Sequence, residues 1–170
     1  MKYKDIDIIW LGHSGFKIKN LSGRELVIYI DPYKISDESE SADFIFITHS
    51  HYDHCSVEDI QKIANDGTII VCTADSSSKM RHINAKVHIK IAEPGTKMQF
   101  DEQEIKFWCI PAYNLEKSFH TREEDWVGYV INFSGETRIY HAGDTDLIPE
   151  MKALSSANID IALLPIGGNF

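Results

Sequence analysis

The amino-acid sequence predicts an α/β fold, and we expect residues 1–170 to form a single domain. Two runs in the first half, FIFIT at 44–48 and TIIVC at 68–72, are short and largely apolar, as is typical of strands buried on both faces. A segment with helical features separates them, and further strand patterns follow in the second half. Strands with interspersed helices favour sheets that are covered by helices.

The strand patterns are separated by short turn-rich segments. Glycine and asparagine occur at 12–15 and 20–23, which interrupts the chain around the first strands. Ser-Gly-Glu at 134–136 lies between two strand patterns and predicts a hairpin there. In chain order, the predicted strands are 6–11, 26–30, 44–48, 68–72, 87–91, 97–100, 105–110, 127–133, 137–140 and 160–164, the last of them buried.

Three segments are predicted to be helical. Ser56 is followed three residues later by Asp59, an arrangement close to a capping box, so a helix is expected to begin after Ser56 and to end at 65–67, Asn-Asp-Gly. Residues 76–83 are expected to form a short helix. A third helix is predicted at 147–155, with a proline in its first turn.

Composition indicates a soluble protein of a reducing compartment. The 17 Lys and Arg residues against 26 Asp and Glu give a net charge of −9, which disfavours binding to nucleic acid or to an anionic membrane. The three cysteines, Cys55, Cys72 and Cys109, lack a close pairing motif and argue against a disulfide framework. The sequence shows neither an apolar signal core nor a run near the roughly 20 residues of a membrane span, so a cytoplasmic location is expected.

The strongest functional motif is HSHYDH at 49–54, directly after FIFIT. It offers three imidazoles and one carboxylate, ligand types that suit zinc, and also manganese or iron, in sites with positions open for water. His49 and His51 are two residues apart, so an extended backbone directs both to one side. The turn that follows can direct Asp53 and His54 to a second ion. The motif therefore predicts a centre of one or two divalent ions, with zinc preferred.

This loop resembles the His-x-His-x-Asp-His motif of the metallo-β-lactamase superfamily. Further matches, spread over nearly the whole chain, are WLGHS at 10–14, Asp-Pro at 31–32, PAYN at 111–114 and YHAGDT at 140–145. More narrowly, the chain resembles the branch of metal-dependent hydrolases that includes the ascorbate-6-phosphate lactonase and its relatives. The resemblance implies an αβ/βα sandwich with the metals at one edge of its two sheets.

The resemblance also assigns roles to single residues. His49 and His51 would bind the first metal, and Asp53 and His54 the second. Asp144, in a Gly-Asp-Thr turn after a strand, resembles the carboxylate that bridges the two ions. Because Asp53 would lie beside the activated water, it is also the candidate catalytic residue that relays a proton.

Five further residues are candidates for supporting or completing the centre. Asp31 follows the strand LVIYI and resembles the aspartate that supports the histidine loop in relatives. Asn114 stands where many relatives carry a histidine, and His120, six residues later, is either the third ligand of the first metal or a solvated loop residue. His13 is expected to line the cleft, and His141 to support the Asp144 turn or simply to pack.

The carboxyl-terminal part of the family pattern is absent from this sequence. Relatives continue past the Gly-Gly loop at 167–168 into a helix, a strand and a final histidine that completes the second site. Three explanations stay open: a truncated product, a partner chain that supplies the missing part, or a one-metal site. Without the last helix and strand, apolar sheet surface would be exposed, which favours self-association into a homo-oligomer.

The expected activity is metal-assisted hydrolysis of a small-molecule ester, lactone or phosphoester. A non-catalytic metal-binding protein is the alternative, because turnover could be lost with the carboxyl-terminal part. A nuclease-type phosphodiesterase is disfavoured by the net charge of −9 and by the absence of a basic tract.

Overall fold

The computed structural model describes residues 1–21, 25–133 and 137–167. The chain divides into two compact units, Met1–Ala92 and Glu93–Phe170, called unit 1 and unit 2 below. Unit 1 contains a seven-stranded sheet and unit 2 a five-stranded sheet. The α/β class predicted from the sequence is confirmed, whereas the single domain stays a prediction.

The sheet of unit 1 changes from antiparallel to parallel along its width. Strands β1 to β4 pair in an antiparallel meander, and β4 to β7 pair in parallel. The strand order in the sheet is the order in the chain. The strands are β1 Lys2–Tyr3, β2 Ile6–Gly12, β3 Gly15–Asn20, β4 Leu26–Ile30, β5 Phe44–Phe46, β6 Ile69–Cys72 and β7 His88–Ile91.

Helices connect β5 to β6 and β6 to β7 in the parallel part of unit 1, as the sequence predicts. Helix α1 covers Val57–Ile63, and Ser56 caps it by accepting a hydrogen bond from the amide of Asp59. Helix α2, Ala74–Ser77, continues into a 3₁₀ turn at Ser78–His82, so the second predicted helix begins earlier than expected. The core between helices and sheet consists of Val27, Tyr29, Ile35, Ala42, Ile45, Ile47, Cys55, Ile60, Ile63, Ile70, Cys72, Met80 and Ile83.

Strand β3 was missed by the sequence analysis. The segment GFKIKN pairs with β2 and with β4, and Ile18 is fully buried. Its apolar residues alternate with Lys17 and Lys19, which is the period-two pattern of a half-buried strand. The glycines at 12 and 15 therefore belong to a tight hairpin rather than to a longer loop.

Unit 2 has the strand order β12-β11-β10-β9-β8. Strands β8 to β11 are antiparallel, and β12 lies parallel to β11. Ile110, Val130, Tyr140 and Ala142 form a core against which Trp108, Leu154 and Ile159 pack. The strands are β8 Lys97–Phe100, β9 Ile105–Pro111, β10 Val127–Phe133, β11 Thr137–His141 and β12 Ile161–Leu163, with 3₁₀ segments at Asp101–Gln103, Arg122–Glu124 and Pro149–Ser156.

Three expectations for unit 2 need correction or remain open. The predicted helix at 147–155 is a 3₁₀ helix, Pro149–Ser156, with no fully buried residue, so tertiary packing, which involves Leu154 only in part, stabilises a helix here weakly. The predicted buried strand at 160–164 is only half-buried in β12. The hairpin of β10 and β11 is confirmed by its register, while its turn at 134–136 lies outside the described residues. Within the described ranges, none of the helices has the length and hydropathy needed to cross a membrane.

Candidate metal centre

The histidine loop, residues 49–54, lies at the carboxyl edge of the parallel strands of unit 1. It follows β5, and Ile47 still donates its amide hydrogen to the carbonyl of Val71 at 2.9 Å. The loop then turns back, because the amide of His54 donates to the carbonyl of His51 at 3.1 Å. Strand ends of this kind are the usual place for ligand sites in open α/β sheets.

This turn gathers the imidazole rings of the loop. The ring centroids of His49 and His51 are 4.9 Å apart, and those of His49 and His54 are 4.0 Å apart. His49 and His54 are buried, His51 is exposed and Asp53 is half-buried. Burial raises the pKa of the adjoining Cys55 thiol to about 11, so this thiol is protonated at neutral pH. The donors that the loop offers are therefore imidazole and carboxylate.

Asp31 is fully buried at the end of β4 and holds the histidine loop in place. One of its carboxylate oxygens accepts the amide hydrogen of Thr48 at 2.8 Å. The other accepts from the hydroxyl of Thr48 at 2.6 Å and from Nδ1 of His54 at 2.8 Å. Asp31 has a left-handed φ of 45°, and a Cβ at Gly15 would lie only 2.9 Å from its carbonyl oxygen. The glycine therefore allows the close approach that this position needs.

The hydrogen bonds around Asp31 define the tautomers of two histidines. Thr48 has one hydroxyl proton and donates it to Asp31, so its oxygen accepts from Nδ1 of His49 at 2.9 Å. His54 donates its own Nδ1 proton to the same carboxylate. Both rings therefore carry their proton on Nδ1 and present the Nε2 lone pair, which is the form of histidine that binds a metal.

His13 lies beside the loop, in the turn between β2 and β3. Its Nε2 is 3.2 Å from Oδ2 of Asp53. The candidate ligand atoms of His13, Asp53 and His54 all lie within 4.8 Å of one another. Two ligand atoms about 2.1 Å from one tetrahedral ion would be about 3.4 Å apart, so this donor set fits a divalent cation.

In unit 2, the loop after β9 brings Asn114 and His120 together. The amide of Asn114 donates to the carbonyl of His120 at 2.7 Å, and its side-chain Nδ2 donates to the carbonyl of Phe119 at 3.2 Å. The ring of His120 is buried and packs edge-on against Trp126, with centroids 4.7 Å apart. The five residues between Asn114 and His120 are thus closed into a loop. His120 lies beside Asn114 and is not a solvated residue.

Asp144 is half-buried in the turn after β11. Gly143 has a φ of 66°, and its amide donates to Nδ1 of His141 at 3.2 Å. The hydroxyl of Thr145 accepts from the amide of Tyr113 and donates to its carbonyl, both at 3.1 Å. These bonds join the turn to the residues that follow β9. Because β9 and β11 run in the same direction, the residues that follow them lie at one edge of this sheet.

Two features of unit 1 were not predicted from the sequence. The sequence predicts Thr48 only as the end of a strand, whereas its hydroxyl links Asp31 to His49; a hydroxyl directly before a histidine motif is a usable signal. The contact of His13 with Asp53 joins residues that are far apart in the chain. Its sequence signal is weaker: a histidine in a turn between two glycines.

Comparisons with known proteins found a matching family, similar sequences and a similar solved structure. A family model described as a β-lactamase superfamily domain matches residues 23–169. A UPF0173 metal-dependent hydrolase of Listeria innocua is 32% identical over 176 residues, which cover 93% of this chain and 72% of the relative. A relative of the same description from Thermoplasma acidophilum is 32% identical, with 98% and 73% covered. The crystal structure of a Parabacteroides distasonis protein superposes with a TM-score of 0.82 at 29% identity, covering 97% of this chain and 71% of that one.

Proposed function

Because the chain belongs to the β-lactamase superfamily, we propose that it is a hydrolase that depends on a divalent cation held by the histidine loop. One observation carries this proposal: Asp31 and Thr48 set the tautomers of His49 and His54 so that both present Nε2. Supporting a neutral imidazole through its other nitrogen is typical of metal sites. The curated relatives named as metal-dependent hydrolases support the same assignment.

The proposed ligands are His49, His51, Asp53 and His54 of unit 1, and His120 and Asp144 of unit 2. The burial of the His120 ring, its place beside Asn114 and the bonded turn around Asp144 support the last two. The mixture of imidazole and carboxylate favours zinc, and it also suits manganese or iron. One or two ions are compatible with this set.

The chemistry requires an activated water and a proton acceptor. A divalent cation supplies Lewis acidity, which acidifies water and polarises the oxygen of a carbonyl or phosphoryl group. Asp53 has two carboxylate oxygens and is half-buried, so one oxygen can hold the cation while the other accepts the proton of the attacking water. Asp31 holds the loop in position while Asp53 accepts the proton, because it accepts hydrogen bonds from Thr48 and His54.

A small molecule is the proposed substrate class: an ester, a lactone or a phosphoester. Tyr52 belongs to the loop and is 72% exposed, and its ring centroid is 5.9 Å from that of Tyr33. Such rings offer apolar contact to a substrate. Lys34 places its ammonium 5.0 Å from the Tyr33 ring, which supports a substrate that carries negative charge. The net charge of −9 argues against nucleic acid as the substrate.

Metal reconstitution followed by a substrate panel tests the proposal. The purified chain would be stripped with a chelator, loaded with Zn²⁺ or Mn²⁺, and assayed with p-nitrophenyl acetate, a simple lactone and bis-p-nitrophenyl phosphate. Turnover of at least one of these is expected, with a loss of about 10²-fold or more in Asp53→Asn. His88→Gln, on exposed β7, is the control and should keep full activity. Bound metal without turnover on any substrate would favour the non-catalytic alternative.

The assignment of His120 has a separate test. His120→Ala should lower metal content or affinity if the ring is a ligand, and an equal substitution at the exposed His82 should not. Unchanged occupancy in His120→Ala, measured by inductively coupled plasma mass spectrometry, would remove it from the ligand set.

A further inference from the structure

We propose that His13 is itself a cation ligand and forms, with Asp53 and His54, a three-ligand site made entirely by unit 1. This inference rests on the proposed metal centre and adds a ligand to it. The three candidate ligand atoms lie within 4.8 Å of one another. Since the set contains two imidazoles and one carboxylate, it matches the donors that bind zinc with an open fourth position.

The backbone around His13 directs its ring towards the loop. Gly12 and His13 have left-handed φ values of 101° and 49°, and the register of β2 and β3 shifts between Trp10 and Gly12. Bulges of this kind redirect a side chain at the end of a strand pair. The indole nitrogen of Trp10 donates to the carbonyl of His13 at 2.9 Å, which holds the turn. A left-handed φ outside glycine is uncommon, and such positions cluster at functional sites.

The distances within the three-residue group fit one ion. Nε2 of His13 is 3.2 Å from Oδ2 of Asp53, close to the separation of about 3.4 Å for two ligands of a tetrahedral ion. The rings of His13 and His54 meet edge-on, with centroids 5.3 Å apart at 85°. Because His54 donates its Nδ1 proton to Asp31, Nε2 is the nitrogen it offers to the ion.

A simple ion pair between His13 and Asp53 is the competing explanation. Their side chains are 43% and 23% exposed, and ion pairs at such exposure contribute little to stability. An ion pair needs a protonated imidazole and a donor hydrogen, whereas a ligand needs a neutral ring with a lone pair. A glutamine at position 13 therefore separates the two explanations, because it can keep a hydrogen bond to Asp53 but would lose a bond to a cation.

The decisive variant is His13→Gln in the full chain. A glutamine amide can still donate a hydrogen bond to Asp53, but it is a poor metal ligand. His13→Glu supplies a carboxylate that can bind a cation yet repels Asp53 when no cation is present. His88→Gln is the matched control, because His88 lies on exposed β7 of the same unit.

Co²⁺ is the probe, added to the metal-free protein while its visible absorption and the heat of binding are recorded. We expect His13→Gln to lower the affinity for one equivalent of Co²⁺ by at least about tenfold and to change the absorption spectrum of the bound Co²⁺. The loss of a site residue has effects of this size. His13→Glu should recover part of the affinity, and His88→Gln should titrate as the wild type. Thermal unfolding of the metal-free proteins checks that the variants fold alike.

Titration of His13→Gln identical to that of the wild type would overturn the ligand role and leave an ion pair. Weaker binding in His13→Glu than in His13→Gln would count against it in the same way. If the wild type binds no Co²⁺, the proposed metal centre fails together with this inference. If the wild type and all variants titrate Co²⁺ alike and none of them hydrolyses a substrate, the ligand role of His13 and the proposed activity both fail, while the proposed metal centre stands.

Discussion

Replacing Asp31 with asparagine should place a hydrogen-bond donor where the network that supports the histidine loop now has an acceptor. The carboxylate is fully buried and accepts three hydrogen bonds, two from Thr48 and one from His54. Asparagine keeps one oxygen for the amide of Thr48. Its NH₂ group, however, would occupy the place where the second oxygen now accepts from the Thr48 hydroxyl and from Nδ1 of His54, so donors would face a donor.

This conflict should lower both the stability of the fold and the affinity for the cation. Each lost hydrogen bond to a charged group is worth about 1.5–3 kcal/mol. Losing the bonds from the Thr48 hydroxyl and from Nδ1 of His54 could therefore lower the free energy of unfolding by at most about 3–6 kcal/mol. The imidazoles can relieve part of it, because His54 can accept from the new NH₂ group on Nδ1 and carry its proton on Nε2. His49 can change in the same way through Thr48. We therefore expect a stability loss of about 2–3 kcal/mol and a cation affinity lowered about 10–100-fold.

The assay combines urea unfolding, metal competition titration and ¹⁵N NMR of the imidazoles, which distinguishes the two tautomers. Asp43→Asn is the matched control, since Asp43 accepts from the amide of Val27 at 2.8 Å just before β5, away from the loop. That variant should lose about 1 kcal/mol and keep its cation affinity. The reasoning is refuted if Asp31→Asn binds the cation as tightly as the wild type, or if both rings keep their proton on Nδ1.

Three further predictions concern the rest of the chain. Asp59 is buried, which by itself would raise its pKa, but hydrogen bonds from a hydroxyl, an ammonium and two backbone amides lower it below its usual 3.8. The stability that it contributes is therefore present above pH 3.8 and is lost as the pH falls further, and urea midpoints should show a smaller acid loss in Asp59→Asn than in the wild type. A Cβ at Gly128 would lie 2.7 Å from two backbone carbonyl oxygens, whereas Gly167 has open space. Gly128→Ala should cost about 1–3 kcal/mol in thermal or chemical unfolding and Gly167→Ala almost nothing, and equal effects would contradict the packing. Burial raises the pKa of Cys72 and of Cys109 to about 12, so neither should react with Ellman's reagent at pH 8 until the chain is unfolded.

Much of unit 1 was predictable because its signals are local. The run FIFIT, the capping pair of Ser56 and Asp59, and the stop after α1 each depend on neighbouring residues. The helix begins after Ser56 as predicted, whereas β5 covers only Phe44–Phe46 of the predicted strand and α1 ends at Ile63, just before the predicted stop. Prediction failed where a signal was weak or depended on distant packing. Lysines and glycines obscure the alternating pattern of strand β3, and the predicted third helix is a 3₁₀ segment that the core of unit 2 covers only in part, through Leu154.

The sequence by itself determined which candidate donor groups the loop carries: three imidazoles and a carboxylate in six residues after a buried strand. Only the tertiary structure decided which nitrogen each ring offers, because that depends on the buried carboxylate of Asp31 and the hydroxyl of Thr48. It also decided that His13 meets Asp53, since a contact between residues so far apart in the chain needs the folded sheet to bring them together. Residue types are a property of the chain, whereas proton positions and ligand distances are properties of its packing.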